Sequence, residues 1–285
     1  MDSLSFDGLT AHYDQTRTFD PICFRQAMDW LAERFPPSQF PSVLEPGIGT
    51  GRIALPLVER GYQVTGLDIS EEMLRACAAQ SKVSGVSDTL HCLRADAVCL
   101  PLCTMSFDLC VAVHLFYFIS DWRKAVREML RVLNPDSALA LLHTGFGAEV
   151  PSLNDRYREM ASKLRYTFPT YGVRSTSEVV DYAVSLGGSA ERVENPAWEW
   201  TARIGLQEAI EHLRLRAYSF TKSVPEDVHQ MVMDSLRHEV LEKAGAMDMQ
   251  TIEVPNRISI VIVQRQSRTK EKQEEIREEH ENKDC

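Results

Sequence analysis

The sequence contains no apolar run of about 18 residues, the length that a membrane-spanning helix requires, so no membrane partner is expected. It also lacks an excess of basic charge. Lys and Arg total 31 against 41 Asp and Glu, a formal net charge of −10, which gives no electrostatic footprint for nucleic-acid phosphates. No nucleic-acid partner is expected. Cysteine pairs of the C-x-x-C type are missing as well. The cysteines number seven, an odd count, and Cys99-x-x-x-Cys103 has no second His or Cys pair close by to complete a zinc site. No bound metal is expected, and free thiols in a reducing compartment are. The opening "MDSLSFDGLTAHYDQTR" lacks the basic-then-apolar order of a secretion signal, so the expected location is cytoplasmic.

What is present is ordinary for a globular chain: 44% hydrophobic and 25% charged residues over 285 positions, enough to bury a substantial core. In "PICFRQAMDWLAERF", Phe24, Met28, Leu31 and Phe35 fall on one helical face, with Pro21 suited to the first turn and Pro36-Pro37 ending the helix. From 42 to 143 short apolar runs alternate with helical patterns. Strands are expected near 42–46, 62–68, 89–95, 107–114 and 137–143, and helices near 51–60, 71–84 and 122–133. Such alternation predicts an α/β fold with a mostly parallel, doubly wound sheet.

Residues 150–250 read differently, with helices near 153–164, 176–186, 205–218 and 226–244 and a short strand at 198–203. "IEVPNRISIVIVQRQ" then returns to β-branched alternation. The chain divides into an N-terminal helical extension or lid (1–40), a ligand-binding core (41–149), a mainly helical inserted cap (150–250), a last sheet strand (251–266) and a charged tail (267–285). The tail, with seven acids and five Lys or Arg, is expected to be disordered or a frayed helix.

"VLEPGIGTGR" places Gly47, Gly49 and Gly51 at a spacing of two directly after the first strand. Glycines there let the backbone approach a ligand at a helix N-terminus. A dinucleotide fingerprint needs G-x-G-x-x-G, and Arg52 stands at its third glycine. A phosphate P-loop needs a lysine that is absent. Glu45 before the loop repels a pyrophosphate and suits a ligand carrying positive charge.

Glu45-x-Gly47-x-Gly49-x-Gly51 after a strand resembles motif I of the class I S-adenosylmethionine-dependent methyltransferases, and further segments follow in that family's order. Asp68 in "GLDIS" ends the second strand. "RADA" (94–97) carries Asp96 after the third. "FDLCVAVHLFYFISDWRKAVREMLRVLNPDSALAL" (107–141) looks like the fourth strand, helix and fifth strand of the type 11 methyltransferases, a group related to quinone-biosynthesis enzymes. "AHYDQTR" (11–17) resembles their lid helix, and "HLRLRAYSFTKSVPEDVH" (212–229) a cap segment in some members.

The resemblance covers about residues 10 to 266 and implies a seven-stranded Rossmann-like sheet, S-adenosyl-L-methionine as cofactor, and a small-molecule methyl acceptor attacked through O, N or C by in-line displacement. It implies that Asp68 holds the ribose hydroxyls and that Asp96 lies near the adenine amino group. Glu45, Gly47, Gly49, Gly51, Ile69, Met73, Ala97, His114 and Arg17 complete the implied cofactor contacts.

His114 ends the fourth strand, where an imidazole can take a proton from an acceptor or can merely pack against the cofactor or hydrogen-bond a backbone group. His143 ends the fifth strand and reads either as a second proton acceptor or as a buried, satisfied histidine. Tyr13 and Arg17 lie one turn apart on the lid helix, Arg17 placed to pair with the cofactor carboxylate and Tyr13 to close over the methyl. Arg214, Arg216 and Tyr218 cannot all face one pocket from a helix. Trp198 and Trp200 read as cap core or strand-face residues and not as an aromatic cage. A nucleic-acid amino-methyltransferase would carry N/D-P-P-Y/F where this chain has Val113-His114-Leu115-Phe116, which argues against it. Metal-dependent O-methylation would need an acid at the end of strand four and a D-N pair after strand five, and neither is present. A catalytically silent cofactor-binding subunit stays open, and so does the choice between monomer and homodimer.

Overall fold

A computed structural model of the chain describes residues 16–144, 150–244 and 251–265. Residues 1–15 of the expected N-terminal extension or lid, including Tyr13, and all of the charged tail lie outside them. Helix α1 (Pro21–Arg34) starts as its sequence directs, with the Asp20 carboxylate accepting from the backbone N–H groups of Ile22 and Cys23. It buries Met28 and Leu31.

Five parallel strands follow: β1 (Ser42–Pro46), β2 (Gln63–Asp68), β3 (Leu90–Arg94), β4 (Phe107–Val113) and β5 (Leu133–Thr144). Between them lie α2 (Ala54–Glu59), α3 (Glu71–Val83) and α4 (Trp122–Val132). Antiparallel β7 (Thr251–Arg265) joins β5 to β6 (Gly188–Gly205), giving a seven-stranded sheet in the order β3-β2-β1-β4-β5-β7-β6. Alternate strand residues feed two layers. Val43, Leu109, Val111 and Ile260 pack on the α1 and α2 side, while Leu44, Cys110, Leu139 and Val261 pack on the α4 side. Helix α4 fits this face because Trp122, Ala125, Val126, Met129 and Val132 recur at helical spacing and are all buried. Its N-terminus is capped by Asp121, and that of α3 by Ser70.

Three elements differ from the sequence-based expectation. The helix placed at 51–60 begins only at Ala54, because Gly47, Gly49 and Gly51 all hold positive φ (73°, 55° and 88°) and keep the loop non-helical. The strand placed at 198–203 is part of the 18-residue β6, which belongs to the sheet edge and not to the cap. Trp198, near its midpoint, is 1% exposed and packs edge-on against Trp30. The helix placed at 205–218 ends at Arg214, since Arg216 has φ 54° and its guanidinium donates to the Thr221 and Val224 carbonyls, fixing a turn.

Helices α5 (Pro151–Lys163), α6 (Thr176–Ser185), α7 (Leu206–Arg214), the short α8 (Ser219–Lys222) and α9 (Glu226–Ala244) complete the described residues. α5, α7 and α9 share their own apolar cluster of Tyr157, Met160, Ile210, Leu213, Met233 and Leu236, and so stand as a separately packed layer beside the sheet. Among the described residues no helix is long and apolar enough to cross a membrane.

Candidate functional site

In an open parallel sheet the ligand crevice forms outside the carboxyl ends of the strands where their order reverses, and here that point is β1, flanked by β2 and β4. The glycine loop leaves β1 at this point and is tied back onto β2. The N–H groups of Gly47 and Ile48 both donate to the Leu67 carbonyl, at 2.7 and 3.0 Å. Gly66 in β2 makes this possible: a Cβ there would sit 2.0 Å from Ile48 Cδ1. A side chain at Gly47 would meet Leu115 Cδ1 at 2.7 Å. The loop is therefore packed between β2 and the one-turn 3-10 helix Leu115–Phe118.

Asp68 ends β2, and both its oxygens are fixed by backbone donors. Oδ2 accepts from Gly49 N–H at 3.0 Å and Oδ1 from Ser70 N–H at 2.8 Å. The Asp96 carboxylate accepts from Val98 N–H at 3.0 Å. Asp68, Ile69, Met73, Asp96 and Ala97 line a small cavity of about 80 Å³ together with Gly47, Gly49 and His114. Eight of the residues singled out from the sequence thus meet in one place. Gly51 does not. It lines neither this cavity nor the next, and its missing side chain makes room for Cys77 Sγ on α3, 2.8 Å from where a Cβ would stand.

A second cavity of about 640 Å³ adjoins the first, sharing Gly47, Val113, His114 and Phe118 with it. Arg17, Glu45, His143 and Thr144 line it. Glu45 is 3% exposed, and its Oε2 has no hydrogen-bond partner. Loss of water holds its carboxyl well above the usual carboxylate range, with Arg52 opposing. Arg17 is buried and donates to Thr16 Oγ1 at 2.9 Å and to the Ala217 carbonyl at 3.3 Å, linking the N-terminal segment to the cap.

His114 has φ 51°, in the left-handed region, which turns the chain sharply after β4. Its Nε2 faces Thr144, 3.1 Å from the amide nitrogen, 3.0 Å from the carbonyl oxygen and 3.2 Å from the hydroxyl. Either tautomer finds a partner there, so this nitrogen is engaged. Burial first, then the charges of His143, Arg17 and Arg52, lower its pKa to about 3 against the pull of the Thr144 hydrogen bond. The ring is neutral at physiological pH. His143, exposed at the cavity with its ring 4.7 Å from that of His114, has its pKa lowered by partial burial and by Arg257 and Arg192.

Of the three cap residues weighed from the sequence, only Tyr218 lines the cavity. Arg214 pairs with Glu211 and Arg216 with Glu226. Sequence reasoning missed Arg158, Phe168, Arg174 and Phe220, which line the cavity from the cap and its connections. No periodic signal marks them. Gly66 was also missed, although a glycine inside a strand is a known sign of close approach by another segment.

A family model described as a methyltransferase domain matches residues 44–141, the stretch from β1 into β5. A malonyl-[acyl-carrier protein] O-methyltransferase of Enterobacter lignolyticus is 30% identical over 160 residues, 56% of this chain and 59% of that protein. An uncharacterized methyltransferase of Mycobacterium tuberculosis is 29% identical over 235 residues, 82% of this chain and 85% of that one. The crystal structure of the YcgJ protein from Bacillus subtilis superposes with a TM-score of 0.56 at 22% identity, covering 85% of this chain and 99% of that chain, and shows a shared fold. The chain spans about half the length of several other curated relatives that it matches.

Proposed function

From the premise that the chain carries a methyltransferase domain over residues 44–141, we propose that it is an S-adenosyl-L-methionine-dependent methyltransferase acting on a small-molecule acceptor. The observation that supports this most is the fixed Asp68 carboxylate facing the smaller cavity. A carboxylate has about four acceptor sites, so two backbone donors fix its plane and still suit it to a vicinal diol. The unpartnered Oε2 of Glu45 is the second support. A buried acceptor without a donor is costly, and an ammonium supplies both the donor and the charge.

In this reading Asp68 holds the ribose and Asp96 the adenine amino group. The glycine loop lets the backbone come close, Glu45 takes the methionine ammonium, and Arg17 takes its carboxylate. When bound, the cofactor supplies an electrophilic methyl group on a sulfonium, so the chain's own work is alignment and exclusion of water. His114, neutral and engaged with Thr144, positions the end of β4 beside β5. For a protic acceptor His143 is the better proton acceptor, being neutral and exposed to the larger cavity.

The test is incubation with methyl-labelled S-adenosylmethionine and a panel of small alcohols, amines and acids, with mass spectrometry of the products. The expected result is labelled product in step with demethylated cofactor. Cofactor binding without turnover would point instead to a silent binding subunit, and no cofactor binding would overturn the proposal.

A further inference from the structure

We infer that Cys77 and Cys92 form a redox-modification site behind the glycine loop, where a peroxide converts two thiols into a disulfide that weakens cofactor binding. The effect on the cofactor rests on the reading above. Cys77, on α3, is fully buried, and Cys92, on the edge strand β3, is exposed. Both are free thiols, and their sulfurs lie 3.6 Å apart. An oxidant thus reaches Cys92 from solvent, and the second sulfur already stands against the first. Burial keeps Cys77 from reacting on its own.

The pair sits where a link would be felt. α3 buries Met73 and Cys77 one turn apart on the same face, and Met73 lines the smaller cavity. β3 leads from Cys92 to Asp96, which lines that cavity too. Cys77 Sγ fills the room left by Gly51, 2.8 Å from where a Cβ would stand. Gly51 N–H closes the turn by donating to the Ile48 carbonyl at 3.0 Å, and Gly49 N–H in the same turn holds the Asp68 carboxylate. Bond formation shortens the sulfur separation from 3.6 Å to roughly 2 Å, so Cys77 Sγ must leave its place or carry α3 with it. Either movement alters the packing beneath Gly51. The lost charge of an ionised Cys92 acts the other way, because after burial it is what most raises the Glu45 pKa. That effect touches only the ionised fraction, whereas the sulfur moves in every oxidised molecule.

Cys92 is the attacking sulfur. Hydrogen bonding to Cys77 lowers its pKa against the effect of burial, while the same bond, burial and the Cys92 charge raise that of Cys77. The Cys92 thiolate attacks one oxygen of hydrogen peroxide and the O–O bond breaks. The departing hydroxide takes up the proton that Cys92 released and leaves as water, with Cys92 now a sulfenic acid. That group no longer carries the charge that held the Cys77 proton. Cys77 then displaces the hydroxyl, the S–O bond breaks, the S–S bond forms, and a second water leaves with the Cys77 proton. The two thiols are oxidised and the peroxide is reduced. A small thiol reverses the change by exchange at the exposed Cys92.

The test uses the full-length protein oxidised with hydrogen peroxide, mapped as peptides without reduction, and titrated with S-adenosyl-L-methionine by calorimetry. A peptide joining Cys77 to Cys92 is expected, with affinity lower by about fivefold or more, the low end of coupling between distinct sites. Dithiothreitol should restore both thiols and the affinity. Cys92→Ser should bind as tightly as the reduced wild type and lose no affinity on peroxide treatment. By reciprocity, saturating cofactor should make the link easier to reduce by the same factor. Absence of the linked peptide, a link that leaves affinity unchanged, or a loss that persists in Cys92→Ser each overturns the inference. If the reduced protein binds no cofactor, the methyltransferase reading fails by itself. The link is then judged by hydrogen exchange of residues 47–51, where faster exchange after oxidation supports it and an unchanged rate overturns it.

Discussion

Glu45 is buried with Oε2 unpartnered, which sets function against stability at a single side chain. Its folded pKa lies above the unfolded value of 4.5. Below that value the carboxyl is protonated in both states and burial costs no ionisation. As pH rises above it the unfolded chain ionises more readily, and stability is lost. Glu45→Gln should therefore raise the thermal unfolding midpoint at about pH 8 and leave it little changed at about pH 4, while weakening cofactor binding. An equal gain at both pH values would show that ionisation is not the cause. His114 has the opposite sign. With its pKa depressed from 6.5 to about 3, it contributes stability that is complete above 6.5 and is lost as pH falls through that window. His114→Gln, which keeps a polar group for Thr144, should make unfolding less acid-sensitive between about pH 6 and 4, by on the order of a few kcal/mol at most. An unchanged acid profile would contradict the buried neutral ring. At this scale Glu45, Asp68, Asp96 and His114 were legible because each lies within two residues of a strand's end. Arg158 and Phe220 were not, because only the cap's folding brings such distant positions together.

The glycine loop is an element whose shape depends on its neighbour. Gly66 pairs with Glu45 on one side and Cys92 on the other, and Ile48 lies over the space its side chain would fill. Gly66→Ala should destabilise the protein by about 1–3 kcal/mol through overpacking, and Ile48→Ala added to it should recover part of the loss. Denaturant unfolding of the two single variants and the double variant measures this. Additive losses in the double variant would mean that the two residues do not compete for one space. The sequence showed the loop's three glycines but not this fourth, since contact across strands is invisible to local pattern. β6 was half-legible for a different reason. It is a sheet edge with 16 of its 18 positions at least partly exposed, so nothing forces apolar alternation on "GSAERVENP", and only the stretch from Trp198 onward reads as strand. The core strands β1, β4 and β5, buried on both faces, were legible to within a few residues.

Across the whole molecule, the larger cavity is lined both from the ends of the parallel sheet and from a separately packed helical layer. Strand–helix alternation made the sheet side readable. The cap side was readable only as helices, because its cavity wall comes from turns and short segments such as Phe168–Arg174 and Tyr218–Phe220. The central claim, that the crevice at the end of β2 holds S-adenosyl-L-methionine through Asp68, is tested most directly by calorimetric titration of the wild type and Asp68→Ala. The wild type should bind at one site, and the folded variant should bind more weakly by about 1–3 kcal/mol, the range for losing charge-assisted hydrogen bonds. An unchanged affinity in a folded Asp68→Ala protein would contradict it.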